Sequence, residues 1–417
     1  MTTAASDNVV QQFPPASADL TTAWAFLEEG INHIMTKPQT GISSEILMGL
    51  YVVVYNYCTS GGVRGAVDSA LDSGNRKPKE MIGSDLYNNL IQYLVARLKG
   101  LREQSDFLQD ETLLRYYASE WDRYTIGANY IDRGLTYLNR HWVKREREEG
   151  RKTVYPVYTL ALVLWKTTFF SYMQSNLAGA ILGLVERERN GETIDQNLVK
   201  KVVDTFISLD INDTDLNKVS LNLYREYFEI PFLEATGKYY EQESKAFLAE
   251  NSVPDYLKKV MERLQEEEDR VDRYLNARTR KRLISKCERV LIRPHAELMW
   301  GSFRTLLDHD RDEDLQRMYV LLSRIPGGLE PLRKIFEEHV KKVGQTAVSK
   351  LVGERTESAD GLVPKAYVDS LFDVHVKNSE RVSRCFKGDA GFVISLDQAC
   401  REFMNRNAAT GTSAQVT

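Results

Sequence analysis

Residues 86–101 read LYNNLIQYLVARLKGL, and leucine returns at positions 86, 90, 94, 98 and 101, with Asn, Gln, Arg and Lys assigned to the other face. Steps of three and four residues put those leucines on one side of an α-helix. The segment therefore predicts an amphipathic helix with one buried stripe. The same grammar extends in both directions. Leu257, Val260, Met261, Leu264, Val271 and Leu275 follow Ser252, Pro254 and Asp255, which read as a capping box with proline in the first turn. Leu315, Met318, Tyr319 and Leu322 precede the turn Ile325-Pro326-Gly327-Gly328, and Leu332, Ile335, Phe336, Val340 and Val343 follow it. Only 11 prolines punctuate 417 residues, and none lies between Pro78 and Pro156 or between Pro156 and Pro231. Period-two alternation is confined to short segments such as Gly391-Phe392-Val393-Ile394, so the chain reads as nearly all α. Short turns between consecutive helices favour antiparallel neighbours. So many helices exceed what one compact bundle can share, which points to an elongated stack burying each group against the next. The stretches Ser73-Gly74-Asn75, Asn190-Gly191-Glu192 and Glu357-Ser358-Ala359-Asp360-Gly361 are read as exposed connections.

Composition narrows the function classes. Hydrophobic residues make up 42% and charged residues 27%, and 55 basic against 59 acidic residues leave a net charge of -4, which gives no bulk attraction to nucleic acid or to an anionic membrane. Cys58, Cys287, Cys385 and Cys400 are too dispersed for a disulfide framework or a CxxC zinc site and suit a reducing compartment. The longest apolar run, Val157 to Trp165, is about half a membrane span, and Met1 to Ala18 lacks the pattern of a signal peptide. A soluble intracellular protein is the expectation.

Catalytic patterns are missing. The histidines at 33, 141, 295, 309, 339 and 375 never pair at i, i+4, so no helical zinc grip is expected, and GxSxG, Walker A and GxGxxG are absent. No cofactor is expected. Val54, Tyr55 and Tyr57 around Cys58 would raise a thiol pKa, which favours packing over nucleophilic chemistry. The basic clusters Arg140 to Lys152 and Arg278 to Arg282 invite a nucleic-acid reading. However, Glu146, Glu148 and Glu149 dilute the first, and the second lacks interleaved aromatics. Helix C-terminal cations or a patch for an acidic protein partner fit better.

One helix is too apolar for a surface. In ILMGLYVVVYNYC, residues 46–58, only Gly49 and Asn56 interrupt the apolar and aromatic residues. Either it is central in its bundle, or one face packs inward while Leu47, Met48, Tyr51, Val52 and Tyr55 meet a second protein. Tyrosine and methionine are enriched in interface cores.

Several segments together resemble the cullin family, most closely the SCF-type cullins of fungi: LYVVVYNYCTS at 50–60, YLNRHWVKRE at 137–146, ERNGETI at 188–194, EDLQRMYVLLSRI at 313–325 and GDAGFVISLDQAC at 388–400. The similarity covers about Leu20 to Thr410. It implies an all-α, elongated, right-angled stack of three five-helix cullin repeats, at 19–152, 153–285 and 286–410, with disordered tails at 1–18 and 411–417. It also implies a non-catalytic scaffold arm of a cullin-RING ubiquitin ligase in the cytoplasm and nucleus. In this reading the first repeat holds a small adaptor that carries F-box substrate receptors. The adaptor would meet Leu47, Met48, Tyr51, Val52 and Tyr55 on the second helix, matched to Ile46–Cys58. On the fifth helix, matched to Asn129–Trp142, it would meet Tyr130, Ile131, Gly134, Leu135 and Leu138. A cullin-associated exchange factor is a further possible partner. The RING subunit would bind only through the carboxy-terminal half, which is expected to lie outside this sequence. Neither nucleic acid nor membrane is an expected partner. The competing reading is a helical-repeat or nucleic-acid-binding scaffold outside the ubiquitin pathway.

Overall fold

The computed structural model describes residues 13–37, 41–68, 83–211, 220–353 and 364–404. Its regular elements are all helical, and there is no strand among the described residues. Gly391 to Ile394, the segment with an alternating pattern, lies inside the helix Ala390–Met404. The exposed connections expected at 73–75 and 357–361, and the tail at 411–417, lie outside the described residues. The one at 190–192 is an exposed turn with Gly191 at φ 92°. The chain divides into two compact units, Met1–Phe232 and Leu233–Thr417, and the division falls within the segment 153–285 expected as a second repeat.

The described part of the first unit begins at Phe13, whose ring lies 5.7 Å from Phe26, so this residue of the expected tail has a defined place. Helix α1 (Leu20–Thr36) starts at Asp19, whose carboxylate accepts the Thr22 N–H at 3.0 Å and satisfies a first-turn donor. Helices α2 (Ser44–Asp68), α3 (Ser84–Ser105) and α4 (Asp110–Gly134) follow. In α3 the leucines at 86, 90, 94, 98 and 101 are all buried, as their spacing predicts. Beyond Gly134 the helix bends without stopping. Leu135 takes φ -97° and ψ 20°, yet its N–H still donates to Ile131 at 2.8 Å, and the Asn139 N–H donates to Leu135 at 3.2 Å. The run continues as Thr136–Leu138, the π-helical Asn139–Val143 and Lys144–Glu148, together α5 (136–148).

The helix expected at Asn129–Trp142 therefore straddles this bend, joining the end of α4 to the start of α5. The bend needs no proline. Asp132 accepts from the Asn139 side chain at 2.8 Å and from the Tyr158 N–H at 3.0 Å, while Asn139 accepts from the Val157 N–H at 2.9 Å. The two side chains on either side of the bend thereby satisfy the first turn of α6 (157–189), a long-range demand that local sequence does not display.

Helix α6 comprises Val157–Leu164, the π-helical Trp165–Phe170 and Ser171–Arg189, and α7 is Gln196–Ser208. Its most apolar stretch is core. Trp165 is fully buried, with Tyr124 at 4.9 Å, Trp121 at 5.3 Å and Tyr117 at 5.6 Å between ring centroids. The indole N–H donates to the Tyr117 hydroxyl at 3.0 Å, and the Tyr117 and Tyr124 hydroxyls reach Thr205 at 3.3 Å and the Ala161 carbonyl at 3.0 Å. Burying these polar atoms is tolerable because each is paired. The cluster fixes α4 against α6 and α7.

Helix α8 (222–250) contains the division between the units. The second unit continues through α9 (Val253–Tyr274), α10 (277–295), α11 (Ala296–Asp308), α12 (Asp312–Leu322), α13 (Glu330–Gly353), α14 (Pro364–Cys385) and α15 (Ala390–Met404). Ser252 caps α9, accepting the Asp255 N–H at 3.4 Å with Pro254 in the first turn, as its sequence predicts. The turn at 325–328 is present as well. It places Gly327 at φ 72°, and a Cβ on Gly328 would lie 2.1 Å from the Leu322 carbonyl oxygen, so a bulkier residue is excluded there. The core of this unit includes Phe386 stacked on Phe392 at 4.1 Å, with Phe336 at 5.6 Å from both. Among the described residues no helix is long and apolar enough to cross a membrane.

Candidate functional site: an aromatic surface on α2 and α5

Helix α2 is pinned by a single leucine. Leu50 is fully buried, and a Cβ added to Gly30 of α1 would lie 3.0 Å from its Cδ2, while one added to Gly134 would lie 2.9 Å from its Cδ1. Glycine at those two places lets three helix backbones close around one side chain. Val53 and Val54 are buried on the same side of α2. That commits the helix's inward face and leaves the opposite one over.

The remaining face carries Met48, Tyr51 and Tyr55, spaced i, i+3, i+7, with 61%, 36% and 45% of their surface exposed. Leu47 and Val52 flank them, half-buried. The helix that looked too apolar is thus neither wholly sealed nor a simple amphipath. Its apolar residues are divided between a core face and a surface face.

Across from it, Tyr137 of α5 presents its ring edge-on to both tyrosines, with centroids 6.3 Å from Tyr51 and 5.1 Å from Tyr55, and it also lies 4.3 Å from the His141 ring. Edge-to-face geometry at these distances orders aromatic side chains without hydrogen bonds. Partial withdrawal from water pushes up the pKa of the Tyr137 phenol, and Cys58, Tyr55 and Tyr51 add to the effect. Cys58, at the end of the apolar run, has its thiol pushed up to about 12 by burial, so it holds no thiolate to act as a nucleophile near neutral pH.

The second set of expected contacts needs correction. Of Tyr130, Ile131, Gly134, Leu135 and Leu138, only Tyr130 reaches the surface, half-buried and with the Arg133 guanidinium 5.8 Å from its ring centroid. Ile131, Leu135 and Leu138 are at most 3% exposed, and Gly134 is the close-approach point against Leu50. These four belong to the inward face of the α4–α5 run. The residue that meets α2's open stripe is Tyr137, backed by the His141 ring, while Arg133 lies over Tyr130. Tyr137 and His141 were missed, although Tyr130, Tyr137 and His141 stand seven and four residues apart, a helical spacing readable from the sequence.

The chemistry this surface can offer is adhesion: large, pre-ordered rings with polar tips and a flexible thioether, with Arg133 at the margin. Among the described residues no group of His, Cys, Asp and Glu side chains could hold a metal ion.

Comparison with known proteins gives the family-level context. The family model described as "Cullin alpha solenoid domain" matches residues 24–416. Cullin-1 of Dictyostelium discoideum is 42% identical over 395 residues, covering 94% of this chain and 50% of the relative. Cullin-1 of Schizosaccharomyces pombe is 38% identical over 392 residues, with 94% and 50% covered. Cell division control protein 53 of Saccharomyces cerevisiae is 30% identical over 419 residues, with 94% and 51% covered. The chain spans about half the length of the curated relatives it matches.

Proposed function

The chain belongs to the cullin family, and from that premise we propose that it is the scaffold arm of an SCF-type cullin-RING ubiquitin ligase. The arm docks a small adaptor carrying F-box substrate receptors on the α2–α5 surface, and it contributes no catalytic side chain. The single observation that supports this reading is the open aromatic stripe of Met48, Tyr51 and Tyr55 braced by Tyr137, on a helix whose other face is committed to the core. Such a scaffold acts by holding substrate and charged carrier at a set separation, a proximity effect that asks for stiffness and a specific tip. The three-repeat division, the exchange factor as a competing partner and residence in cytoplasm and nucleus belong to the same proposal.

The contact set proposed is Met48, Tyr51, Tyr55, Tyr130 and Tyr137, with Leu47 and Val52 at the edge. Tyr51→Ala is expected to weaken adaptor binding by about 2 kcal/mol, the scale of a buried interface anchor. Titration calorimetry on the folded variant measures it. Unchanged affinity for both Tyr51→Ala and Met48→Ala would remove this surface from the interface.

A further inference from the structure

Seven cations and one acid, Glu288, occupy residues 278–293. That density alone says little, since basic runs usually face water with acids beside them. Here the folding sorts them. Thr279, Leu283, Cys287 and Leu291 are at most 2% exposed and form the inward face of α10. Arg278, Lys281, Arg282, Ser285, Arg289 and Arg293 are all exposed, at spacings of three and four residues that share the opposite face.

The one acid is withdrawn from that face's balance. Glu288 pairs with Arg324, just beyond the end of α12, at 3.4 Å. Asp272 of α9 is engaged by Arg280, which lies outside the stripe. Among the described residues, Arg278, Lys281, Arg289 and Arg293 enter no ion pair. Five cations thus line one side of a short helical run in a chain whose net charge is -4.

We propose that this basic face of α10 is a docking surface for an acidic peptide segment of a partner protein. Charge complementarity selects the sign, and the guanidinium forks of Arg278, Arg289 and Arg293 suit carboxylates, which they can hold through paired hydrogen bonds. Length selects a peptide: at 1.5 Å per residue the stripe spans roughly 22 Å, the reach of about seven extended residues. Nucleic acid fits less well. The stripe contains no aromatic platform on which bases would stack, and a long phosphate backbone would run off it onto a net acidic protein.

The test uses the full chain and fluorescence anisotropy with two labelled probes, an oligoglutamate peptide and a single-stranded oligonucleotide of matched charge. The peptide is expected to bind at low ionic strength and to be released by salt. The combined variant Arg278→Gln/Lys281→Gln/Arg289→Gln is expected to lose about tenfold in affinity, three surface charge pairs together. A second variant, Ser285→Glu, puts a carboxylate amid the cations with little demand on folding and is expected to weaken the peptide too, while Ser285→Ala leaves it unchanged. The control Lys144→Gln/Lys258→Gln/Lys342→Gln removes the same charge elsewhere and is expected to keep affinity within about twofold. Absence of peptide binding, equal losses in the control, or tighter binding of the oligonucleotide would each overturn the proposal.

Discussion

Two aromatic clusters are built on the same run of helix, and they have opposite fates. Around Trp165, the rings of Tyr117, Trp121 and Tyr124 from α4 and of Phe169 from α6 itself pack together, and each hydrogen-bonding tip of Trp165, Tyr117 and Tyr124 finds a protein partner. Around Tyr137, the rings of Tyr51, Tyr55 and His141 pack at similar distances, yet Tyr51 and Tyr55 keep more than a third of their surface exposed. The difference lies in what covers the rings. A cluster sealed by other helices must satisfy its hydroxyls internally, whereas an open one leaves its hydroxyls to water or to a second protein. Ring geometry alone does not tell a core from an interface.

Substitutions can break that contrast or sharpen it. Trp165→Ala empties the centre of the sealed cluster and is expected to cost about 3–5 kcal/mol of stability in chemical denaturation. A loss below about 1 kcal/mol would mean the cluster is not the anchor of α4. Tyr137→Ala, in the open cluster, should instead leave stability within about 1 kcal/mol while weakening adaptor binding by about 2 kcal/mol. The reverse pattern would make Tyr137 a core residue. Removing one oxygen gives a finer comparison. Tyr117→Phe strips the acceptor from the buried Trp165 N–H and is expected to cost about 1–3 kcal/mol. Tyr55→Phe takes away a hydroxyl at the surface and should change the denaturation midpoint by less than the equivalent of about 0.5 kcal/mol. Equal effects of the two would erase the distinction between the clusters.

The core stripe of α3 was legible because leucines at 86, 90, 94, 98 and 101 leave one geometric choice. The Ser252 cap and the glycine turn at 327–328 were legible for the same reason, since both are local and set by residue type. On α2, of the five residues read as outward, Met48, Tyr51 and Tyr55 stand exposed and Leu47 and Val52 are half-buried. On the α4–α5 run the chosen face was the inner one. Ile131, Leu135 and Leu138 have an apolar spacing as regular as any interface stripe, and periodicity reports that a face exists without saying what meets it. The bend at Leu135 has no proline to mark it, and the bonds that Asp132 and Asn139 on either side of it make reach the start of α6 about twenty residues on.

By itself the sequence determined the helical class, the family and the inward stripes of helices with one apolar side, because local backbone preference and periodicity are properties of neighbouring residues. Only the tertiary structure decided which of two apolar faces is spent on the core. That choice depends on Leu50 fitting between Gly30 and Gly134, a packing fit among three segments distant in sequence, and it leaves Met48, Tyr51 and Tyr55 uncovered.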